Sequence, residues 1–393
     1  MLASRSQEPP SSWTTKLPLS HYAAEREARL KEAPTRQLRV VELSGSPREI
    51  GRGHGEEMRH LIREGIERWE EHLESSAGMR ARDYLQNLLV HTNFIPAIEK
   101  NSPGLLEEVR GIGEGAGVDF DAIYAYQLMD EEWWFRVDTL GADINPAVGC
   151  SAVAVRPAGE RRTLLAQNMD LPDHYDGTQV VLHLKQDGAS TPVEIFVFTP
   201  AGLIGTTGMN SNGVGICVNS LRMLGHSPTG LPVAFMMRHA LENTSLSDAV
   251  EYIRRVPHAS GQNYLIADTG GAIDLECSAN EVAEYRARGS LLLHTNHPLV
   301  NTDVIPRGAT SRSRGSNSRK RLELLETSLK KEATVADIKH VLSDRTVPVC
   351  VSDRDGQRSI TLGSLIMDLG DTPVLHIAPG PSFETDYETL SFS

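Results

Sequence analysis

The chain is poor in cysteine. Its 393 residues include four, Cys150, Cys217, Cys277 and Cys350. They lie far apart and form no C-x-x-C pair, so neither a zinc site nor a disulfide framework is expected. Three of them stand in apolar, strand-like runs and are interpreted as small buried hydrophobic residues. Cys150 is the exception, and no metal or other cofactor is predicted.

Long apolar runs and an excess of positive charge are also lacking. No run approaches the roughly 18 residues that a transmembrane helix needs, and the first ten residues lack the apolar core of a signal peptide. The last residues, Ser391–Ser393, do not form a peroxisomal Ser-Lys-Leu signal. The formal net charge of -13 disfavours binding to nucleic acid or anionic membranes, which requires basic surface. We therefore expect a cytoplasmic protein without nucleic-acid or membrane partners, and a homo-oligomer stays open.

What the sequence does contain is a change of pattern at Cys150. Before it, apolar residues mostly recur at helical spacing; after it, short apolar runs alternate with turn sequences, which is typical of strands. Before Cys150 the pattern predicts a strand over 38–43 and helices from about residue 55, over 104–115 and over 119–134. After Cys150 it predicts strands over 151–155, 163–166, 180–184, 193–199, 203–207, 214–218, 263–267, 273–277, 360–367 and 374–377, and helices over 233–242, 246–254, 318–329 and 335–342.

These elements predict an α+β fold built in layers. The strands are apolar on both sides, so one sheet with a solvated face does not suit them. Two stacked sheets covered by helices on both outer faces would bury them. Residues 1–35 are polar and rich in Pro, Ser, Glu and Arg, and are interpreted as an extension with a short helix over 22–31. The mainly helical part 36–149 and the catalytic part 150–393 are expected to form one domain.

The most informative position is Cys150, which directly follows Gly149 at the start of a predicted strand. Taken alone, a Gly-Cys pair is more often a buried cysteine beside a turn. A cysteine that becomes a chain terminus, however, gains a base of its own, because an α-amino group has a pKa of about 7.7–8.0. Gly149 would let the sulfur approach its carbonyl, since glycine has no Cβ.

Three further polar residues end apolar runs. Asp170 follows the second predicted strand after Cys150 and would hold the free α-amine by a charge-assisted hydrogen bond. Asn219 and Asn296 each end an apolar run, where a side-chain N–H can stabilise an oxyanion. Taken singly, Asn219 and Asn296 are each better explained as a residue that ends a strand, and the alternative for Asp170 is a common hairpin turn.

A charged segment opens a later helix. Ser318 is a plausible N-cap, and either Arg319 or Arg321 could reach the site. The alternative is a solvated helix face.

At these residues the chain resembles the acyl-coenzyme A:6-aminopenicillanic acid acyltransferase family of N-terminal-nucleophile hydrolases. More distantly it resembles penicillin V acylases and conjugated bile acid hydrolases. The resemblance runs from about Val40 to the C-terminus and depends on the order and spacing of several short segments. These are Gly45–Gly55, Gly113–Val118, Gly149–Cys150, Gln167–Asp170, Gly208–Gly213, His294–His297 and Ser318–Arg319.

The resemblance implies a four-layer αββα sandwich and a precursor that cleaves itself between Gly149 and Cys150, with both fragments remaining associated. It implies Cys150 as nucleophile, Asp170 as the carboxylate that orients the amine, and Asn296 and Asn219 as site amides. The residues that it implies for substrate binding or support are Gln167, Asn168, Ser318, Arg319 and, more loosely, Ser260. Two positions depart from the family: Gln167 replaces the Arg of the bile acid and penicillin V enzymes, and Ser151 replaces a Thr.

The predicted function is hydrolysis of linear N-acyl amides, with a small-molecule N-acyl substrate, through an acyl-enzyme on Cys150. An acyl-coenzyme-A-dependent N-acyltransferase using the same acyl-enzyme is an alternative. A second alternative is an uncleaved, non-catalytic relative, because fold alone does not give function. A third is a conventional Cys-His hydrolase with His294 or His297 as base, for which no signature around Cys150 is found.

Overall fold

The computed structural model describes residues 36–140, 149–156, 162–186, 193–286, 289–305, 317–352 and 359–392. The interpretation of residues 1–35, with its helix over 22–31, lies outside these residues.

Residues 36–140 contain one strand and a series of helices, as the sequence pattern indicates. The strand β1 is Val40–Gly45. The helices are α1 Pro47–Glu57, α2 Arg59–Ala77, α3 Ala81–His91, α4 Ile95–Asn101, α5 Pro103–Ala116, α6 Phe120–Tyr126 and α7 Met129–Leu140. Ser46 and Glu49 form a capping box at the start of α1, which satisfies backbone N–H groups of the first turn.

The later part supplies two sheets. The first sheet has the order β1-β4-β5-β6-β7-β8-β9-β10, and the second has the order β11-β2-β3-β12-β13-β14. The strands after Cys150 are β2 Ser151–Val155, β3 Thr163–Pro172, β4 Gln179–Gln186, β5 Glu194–Pro200, β6 Thr207–Asn210, β7 Gly215–Ser220, β8 Gln262–Asp268, β9 Gly271–Cys277, β10 Val282–Tyr285, β11 Leu291–His294, β12 Ser359–Leu369, β13 Val374–Ala378 and β14 Glu388–Ser391. The later helices are α8 Val233–Ala240, α9 Leu246–Arg255, α10 Ser318–Ser328 and α11 Val335–Leu342.

The two sheets stack face to face, and helices cover both outer faces. Strands β2 and β3 pack on β7 and β8 across the interface between the sheets. Helices α1, α8 and α9 lie against the first sheet, and α10 and α11 against the second. A large apolar cluster fills the space between the sheets and under the first helical layer, and a smaller one lies under α10 and α11. The predicted α+β, four-layer αββα sandwich is confirmed.

The boundary of β3 has the largest consequence for the site. The sequence places its end at residue 166, but the strand continues through Pro172. Residues 167–170 therefore lie inside a strand and not in a turn after it. In a strand, successive side chains point to opposite faces, so neighbouring residues here serve different layers of the fold.

Other boundaries also differ from the sequence prediction. The helix expected from residue 55 is two helices, α1 and α2, and the one expected over 119–134 is also two, α6 and α7. The strand expected over 203–207 begins only at Thr207. Cys350 lies in a bend after α11, not in a strand. Five elements were missed, α3, α4, β10, β11 and β14. All three strands lie at sheet edges, and each is only four residues long.

Candidate active site

Cys150 lies directly before β2, in the interface between the two sheets. Strand β2 pairs with β3 so that Ser151 faces Asn168, which brings the cysteine beside Met169 and Asp170. The sulfur lies 3.8 Å from Met169 Sδ and 3.8 Å from the Asp170 carbonyl oxygen. Burial, and secondly the charge of Asp170, raise the pKa of the thiol to about 12. In the uncleaved chain Cys150 is therefore a neutral thiol at physiological pH.

Gly149 lies closely against the side chain of Asn296. A Cβ at residue 149 would be 2.4 Å from Asn296 Oδ1 and 2.7 Å from its Cγ. These distances are much shorter than van der Waals contacts, so only glycine fits while Asn296 keeps its position. The amide that sequence reasoning singled out is thus in contact with the residue before the nucleophile.

Arg321 connects the nucleophile segment to Asn296. Its guanidinium donates to the Cys150 carbonyl oxygen at 2.6 Å, to Ser151 Oγ at 3.0 Å and to Asn296 Oδ1 at 2.9 Å. A fourth bond, from Nε to Asn317 Oδ1 at 2.7 Å, fixes the plane of the guanidinium. The side chain is fully buried, and burial lowers its pKa, yet an arginine stays charged. It therefore places a buried positive charge at the segment around Cys150.

Arg319, which the resemblance favoured, is exposed at the start of α10. Ser318 and Arg321 are three residues apart and share the buried face of the helix. Of the two arginines, Arg321 is therefore the one that hydrogen-bonds to the segment around Cys150. The phase of α10 turns the Arg319 side chain outward, and the role of Arg319 in substrate support stays a prediction.

The Ser318 hydroxyl holds the backbone of Asn296. Its hydroxyl accepts from the Asn296 N–H at 2.8 Å and donates to Thr295 Oγ1 at 2.9 Å. His297 Nδ1 lies 2.7 Å from the same hydroxyl. Ser318 is therefore a support for Asn296 at the end of β11.

Asp170 is buried at the other side of Cys150. Its Oδ1 accepts from Thr361 Oγ1 at 2.7 Å, while Oδ2 has no hydrogen-bond partner among the described residues. Burial raises the pKa of this carboxyl to about 7. A buried carboxylate oxygen without a donor beside the cysteine is suited to receive a new ammonium group.

The two residues before Met169 are structural. The Gln167 side chain donates to the Val218 carbonyl and accepts from the Val218 N–H at 3.3 Å, so it joins β3 to β7 across the two sheets. Asn168 points the other way and donates to the carbonyls of Leu342 at 2.8 Å and Val349 at 2.9 Å. Both side chains therefore join layers of the fold, a consequence of their place inside β3, and the expected role of either in substrate support stays a prediction.

Asn219 lies at the end of β7, fully buried. Its Oδ1 accepts from Asn263 Nδ2 at 3.4 Å. Its Nδ2 has no partner among the described residues. The next residue, Ser220, accepts from Asn296 Nδ2 at 3.2 Å through its carbonyl oxygen. Ser220 thus links Asn219 and Asn296, the two amides expected from sequence.

Sequence reasoning missed the acidic start of α7. Asp130 Oδ2 accepts from Ser220 Oγ at 2.8 Å and from Gln262 Nε2 at 2.7 Å. Glu131 Oε1 accepts from Ser260 Oγ at 2.7 Å. Ser260 therefore anchors α7 and contacts no predicted catalytic residue. Thr361 was also missed; it had no local signal, whereas Arg321 could be found from its spacing to Ser318.

The two histidines of the Cys-His alternative have other partners. His294 Nε2 lies 2.8 Å from Glu276 Oε1, and its Nδ1 lies 2.7 Å from the Thr295 carbonyl oxygen. Burial and the nearby charge of Arg319 lower the pKa of His297 to about 4. The sulfur contacts recorded for Cys150 are to Met169 and Asp170. The geometry therefore does not support a histidine base.

Three general features of the described residues bear on function. They contain no group of three or more His, Cys, Asp or Glu side chains arranged to hold a metal ion. None of their helices combines the length and apolarity required to cross a bilayer. All four cysteines are free and buried.

Comparison with known proteins gives consistent results. The model of the family described as acyl-coenzyme A:6-aminopenicillanic acid acyl-transferase matches residues 157–380, more than half of the chain. The acyl-coenzyme A:6-aminopenicillanic-acid-acyltransferase 40 kDa form of Emericella nidulans is 30% identical over 267 residues, which are 66% of this chain and 70% of that protein.

Solved structures of N-acyl amide hydrolases are more distant. A Caenorhabditis elegans ortholog of N-acylethanolamine-hydrolyzing acid amidase has 16% identity and a TM-score of 0.42, over 62% of this chain and 100% of that one. Penicillin V acylase from Agrobacterium tumefaciens has 14% identity and a TM-score of 0.39, over 62% and 86%. Because both scores are below 0.5, the fold assignment depends on the sheets and helices described above. The family match and the relative from Emericella nidulans show that the chain belongs to the acyl-coenzyme A:6-aminopenicillanic acid acyltransferase family.

Proposed function

We propose that this protein is a self-cleaving cysteine N-terminal-nucleophile amidohydrolase that acts on linear N-acyl amide bonds of small molecules. One observation carries the proposal: a single buried guanidinium, that of Arg321, holds both the Cys150 carbonyl and the Asn296 amide. That amide in turn lies against Gly149. The scissile segment and an oxyanion donor are therefore held together by one group.

Self-cleavage begins with attack of the Cys150 sulfur on the Gly149 carbonyl carbon. The thiol proton passes to the departing backbone nitrogen, the C–N bond breaks, and a thioester joins Gly149 to the sulfur. Water then hydrolyses the thioester and releases residues 1–149 from residues 150–393. Asn296 Nδ2 carries two hydrogens; one is donated to Ser220, and the second is the candidate donor to the oxyanion.

Cleavage creates the base that turnover needs. The new α-amino group of Cys150 has an ordinary pKa of about 7.7–8.0, low enough to take the thiol proton near neutral pH. Asp170 Oδ2, which is buried and without a partner among the described residues, accepts from the ammonium form. Attack on the substrate carbonyl then gives an acyl-enzyme and a free amine.

A second oxyanion donor is Asn219. Its Nδ2 is buried without a partner among the described residues, at the end of the strand that leads to Ser220. A buried N–H without an acceptor is costly, and a substrate oxyanion would satisfy it.

The two fragments remain associated after cleavage. Asp130 and Glu131, on α7 before the cleavage point, are bonded to Ser220, Ser260 and Gln262 after it. Strand β1 also pairs in parallel with β4. Separation would also expose to water the large apolar cluster that side chains from both fragments build together, which is unfavourable.

N-acyltransfer is the second candidate, and the family match favours it. Both outcomes use the same acyl-enzyme and differ only in whether water or an amine resolves it. We favour hydrolysis because transfer requires a site that excludes water at the acyl-enzyme stage. A recombinant enzyme that acylates Cys150 but releases no free acid would overturn this preference. Cytoplasmic location and oligomeric state stay predictions.

The first test is intact mass under denaturing conditions, for the wild type beside Cys150→Ala. The proposal expects two fragments that split at Gly149–Cys150 in the wild type, co-eluting in native gel filtration, and one full-length chain in the variant. Release of free acid from N-acyl amino acids, β-lactams and small amides then identifies the substrate class. One full-length chain in both proteins, with an inert Cys150 thiol, would favour the non-catalytic relative.

A further inference from the structure

His294 and Glu276 form an ion pair that no part of the proposed reaction uses. His294 ends β11 in the second sheet, and Glu276 lies in β9 in the first. Both side chains are completely buried, and Nε2 lies 2.8 Å from Oε1. The pair bridges the two sheets two residues before Asn296, the residue that contacts Gly149.

The partners of His294 determine its protonation. Nδ1 lies 2.7 Å from the Thr295 carbonyl oxygen, which can only accept a hydrogen bond. Nε2 lies beside Glu276, whose oxygens also accept from the N–H groups of Leu299, Val300 and Asn301. A carboxyl that accepts so many donors is ionised, so both ring nitrogens donate and the ring is an imidazolium.

The charged groups around the ring agree with this geometry. Burial by itself lowers the pKa of His294, but the carboxylates of Asp274 and Glu276 outweigh burial, and the net pKa is raised. Asp274 lies on the same strand as Glu276, and burial raises its pKa to about 7. On the other side, His297 is neutral at pH 7 because burial and Arg319 lower its pKa.

Through this pair the peptide between Thr295 and Asn296 is held from both sides. Its carbonyl accepts from His294, and its N–H donates to Ser318 Oγ at 2.8 Å. Glu276 also fixes the far end of the loop through residues 299–301. The orientation of the Asn296 side chain therefore depends on the ion pair, although neither charge contacts it.

We propose that His294 is a positioning residue, held as an imidazolium by Glu276, that keeps the Asn296 amide at the scissile bond and at the oxyanion. This inference rests on the proposed function for its catalytic consequence only. A misplacement of about 1 Å in such a group costs about 100-fold in rate. We therefore expect His294→Gln to lower the rate of self-cleavage, and kcat of matured enzyme, by about 10- to 100-fold with a much smaller change in KM.

The charge on His294 is tested by NMR, without an activity assay, in full-length Cys150→Ala protein labelled with ¹⁵N. His294 should show two ring N–H groups between about pH 6 and 8, where ordinary histidines lose a proton. His54 is the internal control: it is buried, its Nε2 accepts from the Gly202 N–H at 3.1 Å, and burial lowers its pKa to about 4. It should show one ring N–H. A single ring N–H on His294 at pH 7 would overturn the inference.

The positioning is tested with three variants in the wild-type background: His294→Gln, His294→Gln with Glu276→Gln, and His54→Gln as the matched loss of a buried histidine. Only the first two should slow cleavage. The double variant keeps a neutral hydrogen-bonded pair. If the folded double variant cleaves itself at the wild-type rate, the charge of the His294–Glu276 pair is unnecessary and the proposal is refuted.

The same variants separate this inference from the proposed function. If the wild type never cleaves, the proposed function fails, and the side-chain amide signal of Asn296 decides the positioning instead. His294→Gln in the Cys150→Ala background should shift and broaden that signal, and His54→Gln should not. An unchanged signal would refute the positioning whatever the enzyme does.

Discussion

Gly149→Ala adds one methyl group at the scissile bond and nothing else. The methyl carbon would lie 2.4 Å from Asn296 Oδ1, 2.7 Å from Cγ and 3.0 Å from Nδ2. Favourable contacts begin at about 3.5 Å, so one side must move by about 1 Å. Asn296 cannot easily move, because Arg321, Ser220 and Ser318 all hold it. The scissile residue must therefore shift instead.

The expected cost follows from that displacement. A misplacement of reacting groups by about 1 Å costs about 100-fold in rate. Overpacking itself lowers the free energy of unfolding by about 1–3 kcal/mol. We therefore expect Gly149→Ala to mature about 10- to 100-fold more slowly than the wild type, with a loss of stability in that range.

The assay is cell-free synthesis stopped at fixed times, followed by denaturing intact mass. Gly271→Ala is the matched control, because a methyl there would meet nothing within 4 Å. Once cleaved, Gly149→Ala enzyme should turn over substrate normally, since residue 149 then belongs to the released end. Maturation of folded Gly149→Ala at the wild-type rate would refute the close approach of Gly149 to Asn296 as a feature of the site.

Three further predictions concern residues with separate roles. Arg321→Met should abolish maturation and lower the free energy of unfolding by about 1–3 kcal/mol for each acceptor left unpaired. Arg319→Met, at an exposed position, should change the free energy of unfolding by less than about 0.5 kcal/mol. Urea titration and intact mass distinguish the two variants, and equal effects would contradict the assignment of the site arginine to Arg321. In uncleaved Cys150→Ala protein, burial raises the pKa of Asp170 to about 7, so the folded chain keeps a proton that the unfolded chain loses above about pH 4. The free energy of unfolding should therefore fall as the pH rises from about 4 to about 7. Asp170→Asn should flatten that slope in denaturant titrations, and an unchanged slope would exclude Asp170 as its source. Asn168→Ala should lower the free energy of unfolding by about 1–3 kcal/mol, because two buried carbonyls lose their donor. Normal maturation of the folded variant would support a structural role for Asn168, and loss of maturation without loss of stability would contradict that role.

Local sequence determined much of the architecture. Apolar alternation located β2 to the residue, and helical spacing located α11 to the residue and α5 within one residue at each end. The glycine before Cys150 and the amide of Asn296 at the end of an apolar run were also visible, because each belongs to a short segment with its own signal. Strands that are apolar on both sides, with helices at both ends of the chain, were enough to predict two stacked sheets.

The tertiary structure decided which polar side chains meet. Asn168 and Asp170 are two residues apart in one strand, but Asn168 bonds to the carbonyls of Leu342 and Val349 at the end of α11 and beyond it, whereas Asp170 bonds to Thr361 of β12. Arg321 lies on the face of α10 that docks on the sheet, and Arg319 lies on the exposed face of the same helix. The acids of α7 and the pair of His294 with Glu276 join residues far apart in sequence. Such contacts depend on strand register, helix phase and the stacking of layers, which a local pattern does not contain.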